Sequence, residues 1–140
     1  TFADRFAHRE RLHGVYMGFA NKPDAFDAFL AKHGLEADEV AFVFDDAIDL
    51  PVAARCGFRV LIGSPATAWF VEQVVARGEA DLVTGNSGGN NGLREATDAL
   101  IALLGNGSDV IAHRAGFTES YQRYLAERQA IEPEIVRNAR

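Results

Sequence analysis

Apolar and polar residues alternate along the chain in blocks that predict strands and helices in turn. Apolar runs bounded by glycine or acidic residues predict strands at 14–19, 40–44, 57–63 and 82–84. Stretches with apolar residues three or four positions apart predict helices between and after them, at 23–33, 50–56, 64–75 and 93–104. This succession of strand and helix indicates an α/β fold with right-handed crossovers and a mostly parallel, Rossmann-like sheet flanked by helices.

The two ends of the chain depart from this alternation. An opening helix carries Phe2 and Phe6 on one face. After the Asn-Gly-Ser linker that begins at Asn106, an amphipathic helix is predicted at 117–129, and Pro133 ends it ahead of a basic terminus at 137–140. We therefore expect an α/β core at 1–105 and a helical C-terminal extension at 106–140.

Three carboxylates follow the most apolar of the predicted strands. Five apolar residues at 40–44 run directly into Asp45 and Asp46, and Asp49 comes three positions later. A continuous apolar run is typical of a parallel strand covered on both faces, and α/β sheets bind ligands past the carboxyl ends of their strands. Two interpretations stay open. The acids bind a hard cation such as Mg²⁺, or Asp46 caps the next helix and the other two are solvated.

Lys22 occupies an unusual place at the start of a predicted helix. Pro23 marks the first helical position and Gly34 the stop. A cation at this end opposes the helix dipole, at a cost of a few tenths to about 1 kcal/mol. The lysine is therefore either indifferent, with its stem in solvent, or directed at an anionic group.

A loop rich in glycine and asparagine occupies 85–92 and leads into a predicted helix. It lacks the Gly-Lys-Ser/Thr of a P-loop and the spacing of a dinucleotide fingerprint. Its backbone N–H groups are suited to an anion at the helix N-terminus, although a flexible turn would have the same composition.

Composition narrows the classes of function. The chain has 140 residues and a formal charge of −6, which argues against nucleic acid as a partner. No apolar run approaches the length of a membrane span, and the first residues lack the apolar region of a signal peptide, so we expect a cytoplasmic protein without a membrane partner. Cys56, the single cysteine, is expected to be a small buried residue, and Trp69 and Phe70 are expected to pack a helix against the sheet.

Three motifs in order resemble those of the haloacid-dehalogenase-like (HAD) phosphatases. The chain is most similar to the small capless group that includes the 3-deoxy-D-manno-octulosonate 8-phosphate phosphatases, over about 14–105. The motifs are Lys22-Pro23 with Ala25-Phe26, Asp45-Asp46 with Asp49-Leu50-Pro51, and Gly88-Gly89 with Gly92-Leu93-Arg94-Glu95.

The resemblance implies a Mg²⁺-dependent hydrolase of phosphate monoesters, with a phosphorylated sugar acid as one candidate substrate. It implies that Lys22 balances the charge of an aspartyl nucleophile and the phosphate, that Asp45 is a magnesium ligand, and that Asp46 and Asp49 support the metal site. Members of the group are usually tetramers, which implies a homo-oligomer. The substrate-facing positions that the resemblance implies are Gly88, Gly89, Asn90 and Asn91.

The chain also departs from the family pattern. The nucleophilic Asp-x-Asp motif and the Ser/Thr motif do not occur in it, so we expect both on a segment before Thr1, together with the first strands of the sheet. Phe44 replaces the usual glycine before the acid pair and is expected to crowd the metal loop. Asn90 and Asn91 alter the glycine loop. The alternative is a catalytically degenerate HAD-fold module that serves binding or assembly.

Overall fold

Residues 1–138 are described by the computed structural model, and they fall into two units. One unit comprises Asn21–Gly105, and the other combines Thr1–Ala20 with Asn106–Arg140. In chain order the described helices are α1 (Phe2–Glu10), α2 (Lys22–His33), α3 (Leu50–Ala53), α4 (Ala68–Ala76), α5 (Gly92–Leu103), α6 (Gly107–Ala115) and α7 (Glu119–Gln129). The described strands are β1 (Gly14–Met17), β2 (Ala41–Phe44), β3 (Phe58–Leu61), β4 (Leu82–Val83) and β5 (Glu134–Arg137).

The unit at 21–105 is built on a parallel sheet in the order β2-β3-β4. The register aligns Val43 with Val60 and Val60 with Leu82, so these three side chains form one row across the sheet. The next row contains Phe44 and Leu61 and points to the opposite face. Consecutive strands joined by helices are the arrangement that the alternating sequence pattern predicts, and the α/β class is confirmed.

Helices cover both faces of this sheet. On one face Phe44 and Leu61 pack with Ala53 of α3 and Val74 of α4. On the other face Val60 and Ile62 pack with Ala96 of α5. The continuous apolar run at 40–44 is explained by this arrangement, because alternate residues of β2 enter two different cores.

A third cluster closes the side of the unit where α2 lies. Phe26 of α2 packs with Val52 and Cys56, which lie in and just after α3. The predicted burial of Cys56 is confirmed, and its thiol donates to the carbonyl of Val52 at 3.3 Å. Burial raises the pKa of this thiol, which favours the inert, protonated form.

The position of Trp69 differs from the prediction. It was expected to pack α4 against the sheet together with Phe70, and Phe70 does contact the core cluster of Phe44. Trp69 instead lies outside the core and is 72% exposed. Neighbouring residues on a helix are about 100° apart, so Trp69 and Phe70 cannot both face a narrow core.

The unit made of the two chain ends has its own small sheet, in which β1 and β5 are parallel. The register aligns Val15 with Ile135 and Tyr16 with Val136. The side chain of Arg11, just after α1, also donates to the carbonyl of Ile131 at 3.2 Å. These bonds tie the first residues of the chain to its last ones.

This grouping differs from the expected boundaries of 1–105 and 106–140. Residues 1–20 group with the extension because β1 pairs with β5, and a division into an α/β core and a C-terminal extension stays a prediction. The expected Asn-Gly-Ser linker is also different, since α6 begins at Gly107. The end of α7 at Gln129 agrees with the prediction, and the last two residues of the basic terminus lie outside the described part.

No helix among the described residues is long and apolar enough to span a membrane.

Candidate functional site

The carboxyl ends of β2, β3 and β4 meet at one edge of the sheet, because the three strands are parallel. Asp45 follows β2, Gly63 lies two residues after β3, and Thr84 follows β4. Backbone hydrogen bonds extend the ladder past the strand ends, from Ile62 N to Phe44 O at 2.8 Å and from Thr84 N to Leu61 O at 3.0 Å. The acid loop at 45–49 and the glycine loop at 85–92 therefore both start from this edge.

The three acids of the acid loop have three different environments. Asp46 caps the short helical turn Ala47–Asp49, and its Oδ1 accepts from Ile48 N at 3.4 Å. Asp49 is buried, with 4% of its surface exposed. Asp45 is exposed, and no hydrogen bond or ion pair to its carboxylate occurs within the described residues. Asp46 and Asp49 thus have partners within the described residues, whereas the exposed Asp45 has none.

Lys22 is paired with Asp49. The Lys22 Nζ donates to the Asp49 Oδ1 in an ion pair that joins the start of α2 to the acid loop. The lysine side chain is 43% exposed while that of Asp49 is 6% exposed. Of the two interpretations of Lys22, the structure supports the one in which it is directed at an anionic group.

The start of α2 explains how Lys22 reaches this position. The helix begins at Lys22 itself, one residue before the predicted start, and Pro23 occupies its first turn. Asn21 is the N-cap but makes no side-chain capping bond, and its amide donates to Asp24 at 2.8 Å. Asp49 therefore supplies the charge that offsets the unfavourable position of a cation at this end of the helix.

Phe44, which was expected to crowd the loop after it, lies elsewhere. Its side chain is 3% exposed and packs with Ala53, Leu61 and Val74 in the core. Its ring stacks on Phe42 with centroids 6.0 Å apart. A bulky residue at this position is accommodated by the core, so it does not occupy the acid loop.

The glycine loop is ordered by tight turns. Gly88–Asn90 form a short helical turn, and Asn91 adopts a left-handed conformation with φ 65° as the N-cap of α5. Gly92 is buried, and a Cβ atom there would lie 2.5 Å from the carbonyl oxygen of Asn86. Gly88, Gly89, Asn90 and Asn91 are all exposed at this turn, so their atoms are accessible to a ligand.

Glu95 binds the beginning of the same loop. Its Oε1 accepts from Gly85 N at 2.8 Å, and its Oε2 accepts from both Asn86 N and Asn86 Nδ2 at 2.9 Å. The bond from Gly85, followed by the two from Asn86, lowers the pKa of Glu95. The sequence places Glu95 in a motif and Asn86 in the loop, but it does not predict the bonds between them, because contacts nine or ten residues apart leave no periodic signal.

This edge of the sheet provides only some of the ligands that a divalent ion needs. Asp45 offers the oxygen ligand that Mg²⁺ prefers, in an exposed position without a competing partner. No group of three His, Cys, Asp or Glu side chains within residues 1–138 is arranged to hold a metal ion. Asp45 could therefore supply one ligand, and the others would have to come from water, from a bound phosphate or from further carboxylates.

Known proteins with similar sequences point to one family, although no protein-family model matches the chain. The 3-deoxy-D-manno-octulosonate 8-phosphate phosphatase KdsC of Salmonella typhi is 34% identical over 102 residues, which are 73% of this chain and 50% of that protein. The KdsC protein of Escherichia coli K12 is 34% identical over 91 residues, 65% of this chain and 45% of that protein.

Solved structures with a similar fold point to the same family. The cobalt-bound deoxy-D-mannose-octulosonate 8-phosphate phosphatase YrbI of Haemophilus influenzae superposes with a TM-score of 0.53 at 26% identity, covering 65% of this chain and 49% of that chain. The hypothetical protein XCC2798 of Xanthomonas campestris gives 0.54 at 32% identity, covering 69% and 49%.

The sheet, the acid loop and these similarities define the class as HAD-like, so the resemblance inferred from the motifs is confirmed. Within that class the chain is a homologue of the KdsC phosphatases. It spans about half the length of the curated relatives it matches.

Proposed function

We propose that the full-length protein containing this chain is a HAD phosphatase that hydrolyses a phosphate monoester, with a phosphorylated sugar acid as the candidate substrate. The observation that carries the proposal is the difference between the environments of Asp45 and Asp49 in the acid loop. Asp45 is exposed at the carboxyl edge of the sheet and has no partner among the described residues, while Asp49 of the same loop forms an ion pair with Lys22. The similarity to KdsC phosphatases supports the same chemistry.

In this proposal each residue of the acid loop has its own role. Phosphoryl transfer depends mainly on positioning and on neutralising negative charge. Lys22 contributes a positive charge that Asp49 holds in place, while 43% of the lysine side chain stays accessible for an anionic group. Asp46 fixes the turn that follows Asp45, through its bond to Ile48 N.

Asp45 is proposed as a ligand of Mg²⁺. A bound divalent ion would polarise the phosphoryl oxygens and offset their charge. The nucleophile is proposed to lie on a segment that precedes this chain in the full-length protein, as the family resemblance implies. The cobalt-bound form of the Haemophilus influenzae relative is consistent with a divalent ion in this class of protein.

The test is turnover of phosphate esters by the full-length protein with and without Mg²⁺. Asp45→Ala should lower kcat by at least about a hundredfold while the unfolding midpoint stays unchanged, because the exposed carboxylate makes no bond within the described residues. Asp98→Ala is the matched control, since among the described residues the exposed Asp98 pairs with Arg94 one turn away on α5. Full activity in Asp45→Ala would refute the assignment.

The alternative, a degenerate module for binding or assembly, makes the opposite prediction. It would show no Mg²⁺-dependent hydrolysis of any phosphate ester in a broad panel while still forming a defined oligomer. The packing of Phe44 into the core removes one of the two observations that motivated this alternative. The altered glycine loop is the other, and it accounts equally well for a change of substrate.

The proposal extends to a cytoplasmic homo-oligomer, a tetramer by family resemblance. Apolar side chains such as Trp69 and Leu104 are 72% and 76% exposed in the unit at 21–105 and could be covered by another copy. Light scattering of the full-length protein tests the oligomer, and a monomeric mass at micromolar concentration would contradict it.

A further inference from the structure

Two asparagines of the chain directly precede a glycine, in Asn91-Gly92 and in Asn106-Gly107. This dipeptide is chemically labile, because the small glycine lets its own backbone nitrogen reach the side-chain carbonyl carbon of the asparagine. Both asparagines are exposed, and neither side chain has a hydrogen bond among the described residues. The reacting atoms are the same at both sites, so the fold decides between them.

The fold protects the reacting nitrogen at Asn91-Gly92. Gly92 is buried, and its N–H donates to Ser87 O at 2.9 Å. A Cβ atom on Gly92 would lie 2.5 Å from Asn86 O, so the backbone has no room to shift there. The carbonyl of Asn91 accepts from Glu95 N at 3.0 Å, which fixes the residue at the start of α5. Ring closure at Asn91 requires these restraints to be released together.

The corresponding nitrogen at Asn106-Gly107 has no such restraint. Gly107 N makes no hydrogen bond within residues 1–138, because Gly107 is the first residue of α6 and the first N–H groups of a helix have no partner in it. The backbone of Asn106 is held by the bond from Val110 N to its carbonyl at 3.0 Å, and Val110 is exposed. Ring closure at Asn106 therefore requires only the first turn of α6 to open.

The helix α6 offers little resistance to this opening. None of its described residues is buried. A helix of nine residues is marginal in water unless packing supports it, and α6 has no buried side chain to provide that support. By contrast α5 has twelve residues and contributes the buried Ala96 to the core. The two sites thus begin helices that differ in their resistance to local unfolding.

We propose that Asn106 is a site of spontaneous deamidation, which yields aspartate or isoaspartate through a succinimide. The Gly107 nitrogen loses its proton to solvent and attacks Asn106 Cγ. A new C–N bond forms there, and the side-chain nitrogen takes up a proton and leaves as ammonia. Water then adds to one of the two ring carbonyls and opens the ring. The reaction transfers no electrons, needs no enzyme and is independent of the proposed phosphatase function.

The products alter the boundary between the two units, which falls between Gly105 and Asn106. Either product adds a negative charge at the start of α6. Aspartate leaves the backbone unchanged and is a favoured N-cap residue. Isoaspartate continues the chain through its side-chain carbon and adds a methylene group to the backbone, so the bond from Val110 N cannot form as before. We therefore expect isoaspartate to unravel the first turn of α6.

The test follows both sites by peptide mass spectrometry of the full-length protein, kept folded at mildly alkaline pH. Asn106 should deamidate at least about tenfold faster than Asn91, the factor expected from the hydrogen bond that Gly92 N must first break. In urea-unfolded protein the two rates should be similar, because the restraints of the fold are gone. Isoaspartyl methyltransferase, used as a probe, should methylate the Asn106 peptide of the folded sample.

Gly107→Ala separates the reaction from general ageing of the sample. It should slow deamidation of Asn106 by at least about fivefold, because alanine favours the helix and its methyl group shields the nitrogen. The rate at Asn91 in the same sample should not change. Equal rates at the two sites of the folded protein, or a faster rate at Asn91, would overturn the inference. An Asn106 that stays intact in the folded protein while the unfolded chain is converted would overturn it as well.

Discussion

The acid loop and the glycine loop start from the same edge of one sheet, but they are stabilised in opposite ways. The acid loop is held by an ion pair between its Asp49 and Lys22 of α2, and its Asp45 carboxylate has no partner in the described residues. In the glycine loop a single carboxylate, Glu95, accepts three hydrogen bonds and the exposed turn is neutral. The first loop presents charge, and the second presents oriented amides.

This difference separates two tasks that a phosphate ester imposes. The phosphoryl group carries negative charge and requires cations near it, which the acid loop could supply through Lys22 and through an ion on Asp45. The organic part of the ester carries polar groups that are distinguished by hydrogen bonds, which the glycine loop could supply from its exposed turn. The effects of variants in the two loops should therefore differ in type as well as in magnitude.

The largest effect on stability is expected where the glycine loop approaches α5. In Gly92→Ala the new Cβ would lie 2.5 Å from the Asn86 carbonyl oxygen and 2.9 Å from Ser87 backbone atoms, and the backbone must move. We expect the free energy of unfolding to fall by about 3 kcal/mol in urea titrations.

Gly89→Ala is the matched control for this variant. Its Cβ would meet no atom within 4 Å, and its φ is not in the left-handed region. Its free energy of unfolding should be unchanged or raised by about 0.5 kcal/mol, because alanine restricts the unfolded chain. Equal losses in both variants would mean that the loop does not pack against α5 as described.

The second effect concerns the ion pair of the acid loop. Lys22→Met leaves the carboxylate of Asp49, which is 6% exposed, without its cation. We expect a loss of about 1–3 kcal/mol in the free energy of unfolding, less than for a fully buried pair because the lysine itself is partly solvated. The double variant Lys22→Met/Asp49→Asn should recover part of this loss.

Arg55→Met provides the comparison for that prediction. Arg55 donates to Asp27, a carboxylate that is 60% exposed, so water replaces the lost partner. Its guanidinium also lies 5.0 Å from the ring centre of Phe26, and the summed loss should stay near 1 kcal/mol. A loss in Arg55→Met as large as that in Lys22→Met would remove the distinction between the buried and the exposed carboxylate.

The sequence predicted the unit at 21–105 well, because its elements are long enough or apolar enough to show a period. The run at 40–44 indicated a strand covered on both faces, and apolar residues three or four positions apart indicated the helix at 23–33. The pairing of β1 with β5 could not be predicted. Only Ile135 and Val136 of β5 are apolar, and two residues do not define a period of two.

The sequence predicted which residues could form the candidate site, but it did not predict which of them bond to one another. The acids, the lysine and the glycine loop were located, while the partner of Lys22 and the bonds made by Glu95 were not. Spacing along the chain indicates which face of an element a residue occupies, but it does not indicate which of three nearby carboxylates a lysine will choose. Lys22 pairs with Asp49, which is the buried acid of the three.

The smallest expected effect is a local dependence on pH in the glycine loop. The pKa of Glu95 lies below its ordinary value of 4.5, chiefly because of the bond from Gly85 N. A lowered pKa means that the carboxylate stabilises the loop fully above the ordinary value, and that this contribution is lost as the pH falls through the lowered one.

Hydrogen exchange of the Gly85 and Asn86 amides tests this, with the wild-type protein and Glu95→Gln measured at each pH. At neutral pH the two amides should be better protected in the wild-type protein than in the variant. The difference should disappear on acidification below 4.5. The acid loop should show no such change in the same variant, because none of its described bonds involves Glu95. If the two amides stay protected in Glu95→Gln at neutral pH, another group must bind them.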